Sequence, residues 1–268
     1  MERVRTAVIT RPRSRLRAAL PTSVEAAQAF RLVSEPIFIL SYMRSGSTLL
    51  RMVLDSHSKL CAPHELHLTS VRVRFLPPSD KAMSEIGLSG RDLENLLWDR
   101  VLFDQLAKSG KKHIIDKTPG NSLWWRRIHN HWPNAKFIIL YRHPLRVLES
   151  WANARPEIPR DEVVEQMHRF AEALENAYQN HGGLIVRYED LTRDPAAVSQ
   201  KICAYLGVPW EPQMIAYGEQ DHGGSYVRGL GDWSDKIQSG TIAPAPPDPE
   251  PEDVPDDIKE ICRLMGYV

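Results

Sequence analysis

The stretch IFILSYMRSGSTLL, from Ile37 to Leu50, decides how this sequence is interpreted. The apolar run IFIL is typical of a buried strand, and the spacing of apolar residues in LLRMVL predicts a helix after a Gly/Ser/Thr turn. A helix N-terminus offers N–H groups and a positive dipole end to an anion, and Gly46 lets the backbone approach closely. Arg44, Ser47 and Thr48 add further donors. The stretch predicts a phosphate-binding turn, although the lysine and second glycine of a nucleotide triphosphate loop are missing and an ordinary tight turn stays an alternative.

The composition limits the class of protein. In 268 residues, lysine plus arginine equals aspartate plus glutamate at 34 each, so no overall field attracts nucleic acid and any anion site must be local. No run approaches the roughly 18 apolar residues of a membrane span, and the arginine-rich N-terminus lacks the apolar core of a secretory signal. Three widely spaced cysteines (Cys61, Cys203 and Cys262) favour reduced thiols over disulfides or a zinc site. We therefore expect a cytoplasmic protein.

Short β-rich runs alternate with helical patterns through the middle of the chain. PIFILS, HIID, KFIILY and LIVRY are each followed by a segment with helical spacing, and the runs are apolar on both alternating faces. Such strands predict a central parallel sheet flanked by helices, a three-layer α/β fold like that of P-loop proteins. Asp194 followed by Pro195 predicts a helix start.

The predicted organisation has three parts. Residues 1–35 form a basic arm, either a solvated tail or a segment that docks to an acidic carrier protein or an anionic surface. Residues 36–242 form the α/β domain. Residues 243–268 form a proline-rich, acidic linker and a final helix that packs on the same domain.

A second stretch, YRHPLRVLESW, strengthens the prediction of an anion site. It follows the strand KFIIL directly, places Arg142 and Ser150 eight residues apart, and has Pro144 at the start of a predicted helix. Ligands of open α/β sheets bind at the carboxyl ends of the strands, where neighbouring turns meet. Two arginine-plus-hydroxyl stretches indicate one ligand with two separated anionic ends.

Together these two stretches resemble the sulfotransferases that use 3'-phosphoadenosine 5'-phosphosulfate (PAPS). In that family an R-S-G-[ST]-T loop holds the 5'-phosphosulfate, and an arginine followed eight residues later by a serine holds the 3'-phosphate. DKTP (residues 116–119) and VRYEDL (residues 186–191) extend the resemblance, and SYVRGLGDWSDKIQSG resembles the family's closing loop. The nucleotide-binding residues that this resemblance implies are Arg44, Ser45, Gly46, Ser47, Thr48, Leu49, Arg142, Ser150, Tyr188, Arg228, Gly229 and Lys236.

The base that accepts the acceptor's proton should lie near the loop, and CAPHELHL supplies candidates soon after the first predicted helix. In an extended segment Glu65 and His67 would point to one face. The resemblance to protein-tyrosine sulfotransferases and to the sulfotransferase domains of olefin-forming polyketide assembly lines makes Glu65 the first candidate and His67 the second. His64 and Lys117 are candidates for contact with the substrate. The alternatives are a polar turn in which Glu65 pairs with an arginine, and a structural ion pair between Lys117 and Asp116.

The sequence therefore predicts a PAPS-dependent sulfotransferase that acts on a hydroxyl of a small molecule, a lipid or a carrier-bound acyl or polyketide chain, as in natural product biosynthesis. Arg44 is expected to stabilise the leaving group, and no metal is required because the sulfuryl group carries a single negative charge. An acyl carrier protein is a possible partner, and the oligomeric state is left open. The alternatives are an ATP-dependent small-molecule kinase and a non-catalytic nucleotide-binding module.

Overall fold

The computed structural model of the chain describes residues 31–222 and 235–267. In these ranges the strands are β1 (Ile37–Ser41), β2 (Leu60–Cys61), β3 (His113–Asp116), β4 (Lys136–Tyr141) and β5 (Leu184–Arg187). The α-helices are α1 (Ser47–Asp55), α2 (Pro77–Glu85), α3 (Gly90–Ser109), α4 (Trp125–His131), α5 (Pro144–Ala154), α6 (Arg160–His181), α7 (Tyr188–Arg193), α8 (Pro195–Leu206) and α9 (Asp256–Leu264). Short 3-10 helices cover Leu68–Ser70, Pro119–Trp124, Pro212–Glu219, Asp235–Ser239 and Pro251–Asp253.

The described strands form one parallel sheet in the order β2-β3-β1-β4-β5. β1 lies at its centre and pairs with β4 from Ile37 opposite Lys136 to Ser41 opposite Leu140. The predicted parallel α/β sheet is confirmed. The two-residue strand β2 was not predicted, because so short a segment carries no readable periodicity.

Helices cover both faces of the sheet, as the three-layer prediction requires. Alternate residues of β1 enter different cores: Phe38 and Leu40 pack on the side of α6 and α9, whereas Ile37 and Ile39 pack on the side of α1 and α8. These four side chains are at most 2% exposed. Strands buried on both faces explain why the runs are apolar throughout.

One predicted helix has a different form. The segment LWWRRIHNHW begins as the 3-10 helix Pro119–Trp124 and becomes α-helical only at Trp125. By contrast, α8 starts as predicted, since the Asp194 side chain accepts a hydrogen bond from the Ala197 N–H at 2.9 Å and Pro195 occupies the first turn.

The two ends of the described chain are both attached to the sheet's helices. A compact unit begins at Leu32, whose N–H donates to the Asp99 carboxylate at 2.7 Å. The proline-rich segment is held by Arg146, which donates to the Pro247 carbonyl oxygen at 2.9 Å, and α9 then buries Ile258 against the core. Residues 1–30 lie outside the described ranges, so the predicted domain boundaries stay predictions. In the part that the structure describes, no helix is long and apolar enough to cross a membrane.

Candidate active site

The turn between β1 and α1 has the backbone of an anion-binding site. Arg44 and Gly46 adopt left-handed conformations, with φ of 67° and 85°, and α1 begins at Ser47 without a side-chain cap and without an acidic residue in its first turn. Its first N–H groups and its positive dipole end therefore face the carboxyl edge of the sheet. A Cβ at position 46 would lie 2.2 Å from Tyr188 Cδ2, so only glycine fits there.

The second predicted stretch meets this turn directly. The Nε of Arg44 donates to Ser150 Oγ at 3.1 Å, and Arg142 Nη1 donates to the Arg44 carbonyl oxygen at 2.8 Å. The Arg142 guanidinium lies 4.5 Å from the centroid of the Tyr188 ring. Because β4 pairs with β1, the turns that follow these strands are neighbours. The sequence placed Arg44 and Ser150 at opposite ends of a ligand, whereas the structure brings these two side chains into contact.

The other predicted nucleotide residues are placed as follows. The Ser45 hydroxyl is buried and has no hydrogen-bond partner in the described part of the chain, which suits a polar ligand atom at the turn. Ser47, Thr48 and Leu49 form the first turn of α1. Arg228 and Gly229 lie outside the described residues, and Lys236 belongs to the 3-10 helix Asp235–Ser239.

On the acceptor side, a group of charged side chains touches the same turn. The Nζ of Lys117 lies 2.5 Å from Glu65 Oε1 and 3.4 Å from Thr48 Oγ1. The other oxygen of Glu65 lies 3.1 Å from His67 Nε2. Lys117 is fully buried, whereas half of the His67 side chain is exposed. Thr48 therefore connects the phosphate-binding turn with the Lys117–Glu65–His67 group.

Burial and charge act in opposite directions on Lys117. Burial lowers the pKa of its ammonium group, and the Glu65 carboxylate opposes this shift by favouring the charged form. Glu65 pairs with Lys117 and His67, so the predicted alternatives, in which it pairs with an arginine or Lys117 pairs with Asp116, are not what the structure shows.

The backbone reaches this arrangement by a turn and not by an extended segment. His67 has a φ of 50°, caps the 3-10 helix Leu68–Ser70, and donates its N–H to Thr118 Oγ1 at 3.2 Å. That turn brings the His67 ring back to Glu65. The His64 ring contacts the backbone of Glu65 and not its carboxylate: its Nδ1 lies 2.9 Å from the Glu65 carbonyl oxygen. We therefore do not count His64 in the group.

Asp116 fixes the segment that carries Lys117. Its buried carboxylate accepts hydrogen bonds from Thr118 Oγ1 at 3.0 Å and Asn121 Nδ2 at 2.9 Å. Burial raises the pKa of Asp116, and these two hydrogen bonds act in the other direction. Neither Thr118 nor Asn121 was predicted as a supporting residue. Thr118 lies in the DKTP motif directly after a buried strand, and this polar motif was its signal, whereas Asn121 lies two residues beyond the motif.

A second support, also missed, comes from the end of the chain. The Tyr267 hydroxyl donates to Glu189 Oε2 at 2.9 Å, and Glu189 Oε1 accepts the N–H of His143 at 2.9 Å. Arg187 donates to the Gly266 carbonyl oxygen at 2.8 Å. The C-terminal turn therefore contacts the sequence neighbours of Arg142 and Tyr188, and it supports the backbone at both positions.

Among residues 31–222 and 235–267, no group of His, Cys, Asp and Glu side chains is arranged to hold a metal ion.

A family model described as the sulfotransferase family matches residues 36–212. The chain belongs to the sulfotransferase family. The matched region runs from the start of β1 to the start of the 3-10 helix Pro212–Glu219, and it includes the turn, the Lys117–Glu65–His67 group, Arg142, Ser150 and Tyr188. The predicted family is confirmed.

Two solved structures share the fold. The sulfotransferase domain of the Synechococcus PCC 7002 olefin synthase is 26% identical, with a TM-score of 0.63, covering 88% of this chain and 96% of that domain. The sulfotransferase domain from the curacin biosynthetic pathway is 25% identical, with a TM-score of 0.60, covering 88% and 99%. A putative protein-tyrosine sulfotransferase of Caenorhabditis briggsae is 24% identical over 258 residues, 86% of this chain and 88% of that protein. The chain spans only 26% to 55% of the length of other curated relatives that it matches.

Proposed function

We propose that this protein transfers a sulfuryl group from PAPS to a hydroxyl of a small molecule, a lipid or an acyl chain held by a carrier protein. Membership of the sulfotransferase family supports the reaction class. One observation carries the specific proposal: Lys117 Nζ contacts both Glu65 and Thr48, so a basic and acidic pair lies against an anion-binding turn.

The residues of the nucleotide side fit a ligand with phosphate groups. Donors at the carboxyl edge of the sheet come from the uncapped start of α1, from the Arg142 guanidinium and from the Ser45 hydroxyl, which has no partner among the described residues. Tyr188, whose ring lies beside Arg142, offers a flat surface for a base. When bound there, PAPS supplies the activated sulfuryl group.

Three side chains would act on the transfer. Arg44, in the turn that precedes α1, stabilises the negative charge that develops on the leaving phosphate oxygen. Lys117 attracts the oxygens of the sulfuryl group and brings Glu65 next to the turn. Glu65 accepts the proton of the acceptor hydroxyl, which raises the hydroxyl's nucleophilicity. We assign the base to Glu65 over His67, because Glu65 contacts the ammonium group that touches the turn, whereas His67 lies on the exposed side of the carboxylate.

The acceptor class follows the structural neighbours. The chain is similar over 88% of its length to sulfotransferase domains of an olefin synthase and of the curacin pathway. This likeness supports a hydroxyl on a small molecule or on an acyl chain. We propose an acyl carrier protein as the partner that would hold such a chain, and the cytoplasm as the compartment. The C. briggsae relative makes a protein tyrosine the competing acceptor.

The nucleotide proposal is tested by thermal unfolding with 3'-phosphoadenosine 5'-phosphate (PAP), the desulfated product. Saturating PAP should raise the melting temperature, because a ligand that binds only the folded state stabilises it. Arg142→Ala should remove most of this shift while leaving the melting temperature without PAP nearly unchanged. Arg100→Ala, on an exposed pair with Asp104, is the control. Absence of any shift in the wild-type chain would overturn the proposal, and magnesium-dependent ATP turnover would replace it with a kinase.

The transfer proposal is tested with labelled PAPS and a cell extract of the source organism, followed by mass identification of the labelled product. A labelled small molecule or carrier-bound chain is expected. Label on protein tyrosine would correct the acceptor class alone. Binding of PAP without transfer to any acceptor would leave a nucleotide-binding module in place of an enzyme.

A further inference from the structure

A groove on the flank of the domain is separate from the candidate active site. It lies between α3, α4 and α6, has a volume of about 540 Å³, and continues along the 3-10 helix Pro119–Trp124. Of the predicted nucleotide, base and substrate residues that the structure describes, none is among the residues lining it. Its volume falls within the roughly 300–1,000 Å³ that is typical of small-molecule sites.

The charges that line this groove are not balanced. Arg91, Arg126 and Arg169 are exposed, and in the described part of the chain none of them has a carboxylate within ion-pair distance. Glu172 is the one carboxylate among the described lining residues. Because several guanidinium groups around a concave surface reinforce one another's potential, the groove attracts anions.

A fourth arginine, Arg127, also lines the groove, but its charge is paired, so it does not add to the excess of positive charge. Its Nη2 lies 2.9 Å from Glu94 Oε2 and donates to Asn95 Oδ1 at 2.9 Å. Its guanidinium also lies 4.0 Å from the centroid of the buried Trp98 ring. These contacts tie α4 to α3, so the groove is a fixed feature of the packed helices.

One end of the groove is apolar. Leu123 is 38% exposed and Trp124 is 39% exposed, although both are large apolar residues. The Arg72 guanidinium lies 5.3 Å from the centroid of the Trp124 ring and covers part of it. An exposed tryptophan beside arginines that have no carboxylate partner among the described residues suits a ligand that has a flat apolar part and an anionic part.

We propose that the groove between α3, α4 and α6 is a second binding site, for a small organic anion in which a phosphate or carboxylate group is attached to a flat apolar body. The anionic group contacts Arg126 and Arg169, whose planar forks match its oxygens. The flat body packs against Trp124 and Leu123. This site does not depend on the assignment of the nucleotide site.

The test is isothermal titration calorimetry with 1-naphthyl phosphate, compared with 1-naphthol and with inorganic phosphate. The first probe has both features, and each of the others lacks one. 1-Naphthyl phosphate should bind at least about tenfold more tightly than either, since each removes one class of contact. Equal binding of 1-naphthol, or no binding of 1-naphthyl phosphate, would overturn the proposal.

Variants locate the site. The double variant Arg126→Gln and Arg169→Gln should weaken binding of 1-naphthyl phosphate by roughly 100-fold, because two charged hydrogen bonds are lost. The control is Arg100→Gln with Arg193→Gln, which removes the same charge from exposed pairs elsewhere and should leave binding unchanged. An equal loss in the control means general attraction and contradicts the site.

A third variant separates the groove from the phosphate-binding turn. Arg142→Ala should leave the affinity for 1-naphthyl phosphate unchanged. If Arg142→Ala abolishes binding and the groove variants do not, the probe occupies the turn, which overturns the second site and leaves the proposed nucleotide site standing.

Discussion

The two sides of the candidate active site differ in whether their charged side chains have a counter-charge. On the nucleotide side, Arg142 contacts a carbonyl oxygen and an aromatic ring, and no carboxylate of the described chain lies within ion-pair distance of it. On the acceptor side, every charge has a partner, since Glu65 pairs with both Lys117 and His67. The unbalanced charge is suited to a ligand anion, and the balanced group is suited to holding a geometry and transferring a proton.

The difference has an energetic meaning. A charged group without a counter-charge contributes little to the stability of the fold and much to the binding of an anion. A buried ion pair behaves otherwise, because removal of one partner leaves the other uncompensated at a cost of about 3–5 kcal/mol. Substitutions on the two sides should therefore separate into effects on binding and effects on turnover or stability.

The largest effect is expected at Glu65. Glu65→Gln keeps an oxygen for Lys117 but cannot accept a proton, so the turnover number should fall by about 10³-fold while PAP affinity stays the same. Labelled transfer and calorimetry with PAP measure the two quantities. Glu165→Gln, on the exposed side of α6, is the control. A fully active Glu65→Gln enzyme would remove Glu65 from the reaction.

His67→Gln distinguishes the two candidate bases. If His67 only orients Glu65, its loss should lower turnover by about tenfold, the value of one hydrogen bond to a charged group. A larger loss at His67 than at Glu65 would assign the proton transfer to the imidazole.

The next largest effect is expected at Gly46, on the nucleotide side. Alanine there would place a Cβ 2.2 Å from Tyr188 Cδ2, so the ring must move away from Arg142. We expect PAP affinity to fall by roughly 30-fold, about the value of one base stacked on an aromatic ring.

Gly87→Ala is the matched control for Gly46→Ala. Gly87 also has a positive φ, 74°, but no atom of the described residues lies within 4 Å of its Cβ position. Both variants place alanine at a positive φ and so share the same kind of backbone strain, but only Gly46→Ala displaces the Tyr188 ring. Equal PAP affinities in the two variants would mean that Tyr188 does not contact the nucleotide.

The sequence predicted those parts of the fold and site that local patterns encode. The apolar runs of β1 and β4, the Gly46 turn and the proline at the start of α5 each follow from a few adjacent residues. The stretches around Arg44 and Arg142 were correctly expected to be neighbours, because parallel strands end at one edge of a sheet.

Contacts between distant residues were beyond such patterns. Glu65 and Lys117 are 52 residues apart, and Glu189 and Tyr267 are 78 residues apart. Their meeting depends on how whole elements pack. The left-handed turn at His67 is likewise held by a distant residue, since the His67 N–H donates to Thr118 Oγ1. Neither these long-range contacts nor the turn at His67 has a periodicity or a composition from which a sequence pattern could predict it.

A smaller effect is expected at Tyr267, which supports the nucleotide side indirectly, through Glu189. Tyr267→Phe removes one hydrogen bond to the buried Glu189 carboxylate, which also holds the His143 N–H beside Arg142. PAP affinity should fall by about fivefold, with acceptor KM unchanged. Tyr178→Phe, whose side chain is exposed on α6, is the control. A lower melting temperature with unchanged PAP affinity would make Tyr267 a residue of the fold alone.

The smallest effect is expected at a paired charge outside the site, Asp55 at the C-terminal end of α1, opposite to the end that carries the phosphate-binding turn. Burial alone would raise the pKa of Asp55, but hydrogen bonds from His222 and the Ala62 N–H, with the charge of Lys111, outweigh it and lower the pKa. A carboxyl with a lowered folded pKa stabilises the fold above its unfolded pKa of about 3.9 and loses this contribution as pH falls through the folded value. Asp55→Asn should therefore lower the free energy of unfolding by about 1 kcal/mol at pH 7, and by less at pH 3. Urea unfolding at the two pH values measures this. If Asp55→Asn lowers the free energy of unfolding as much at pH 3 as at pH 7, the Asp55 charge does not stabilise the fold. The distinction between paired charges that stabilise the fold and unpaired charges that bind a ligand would then not hold at this residue.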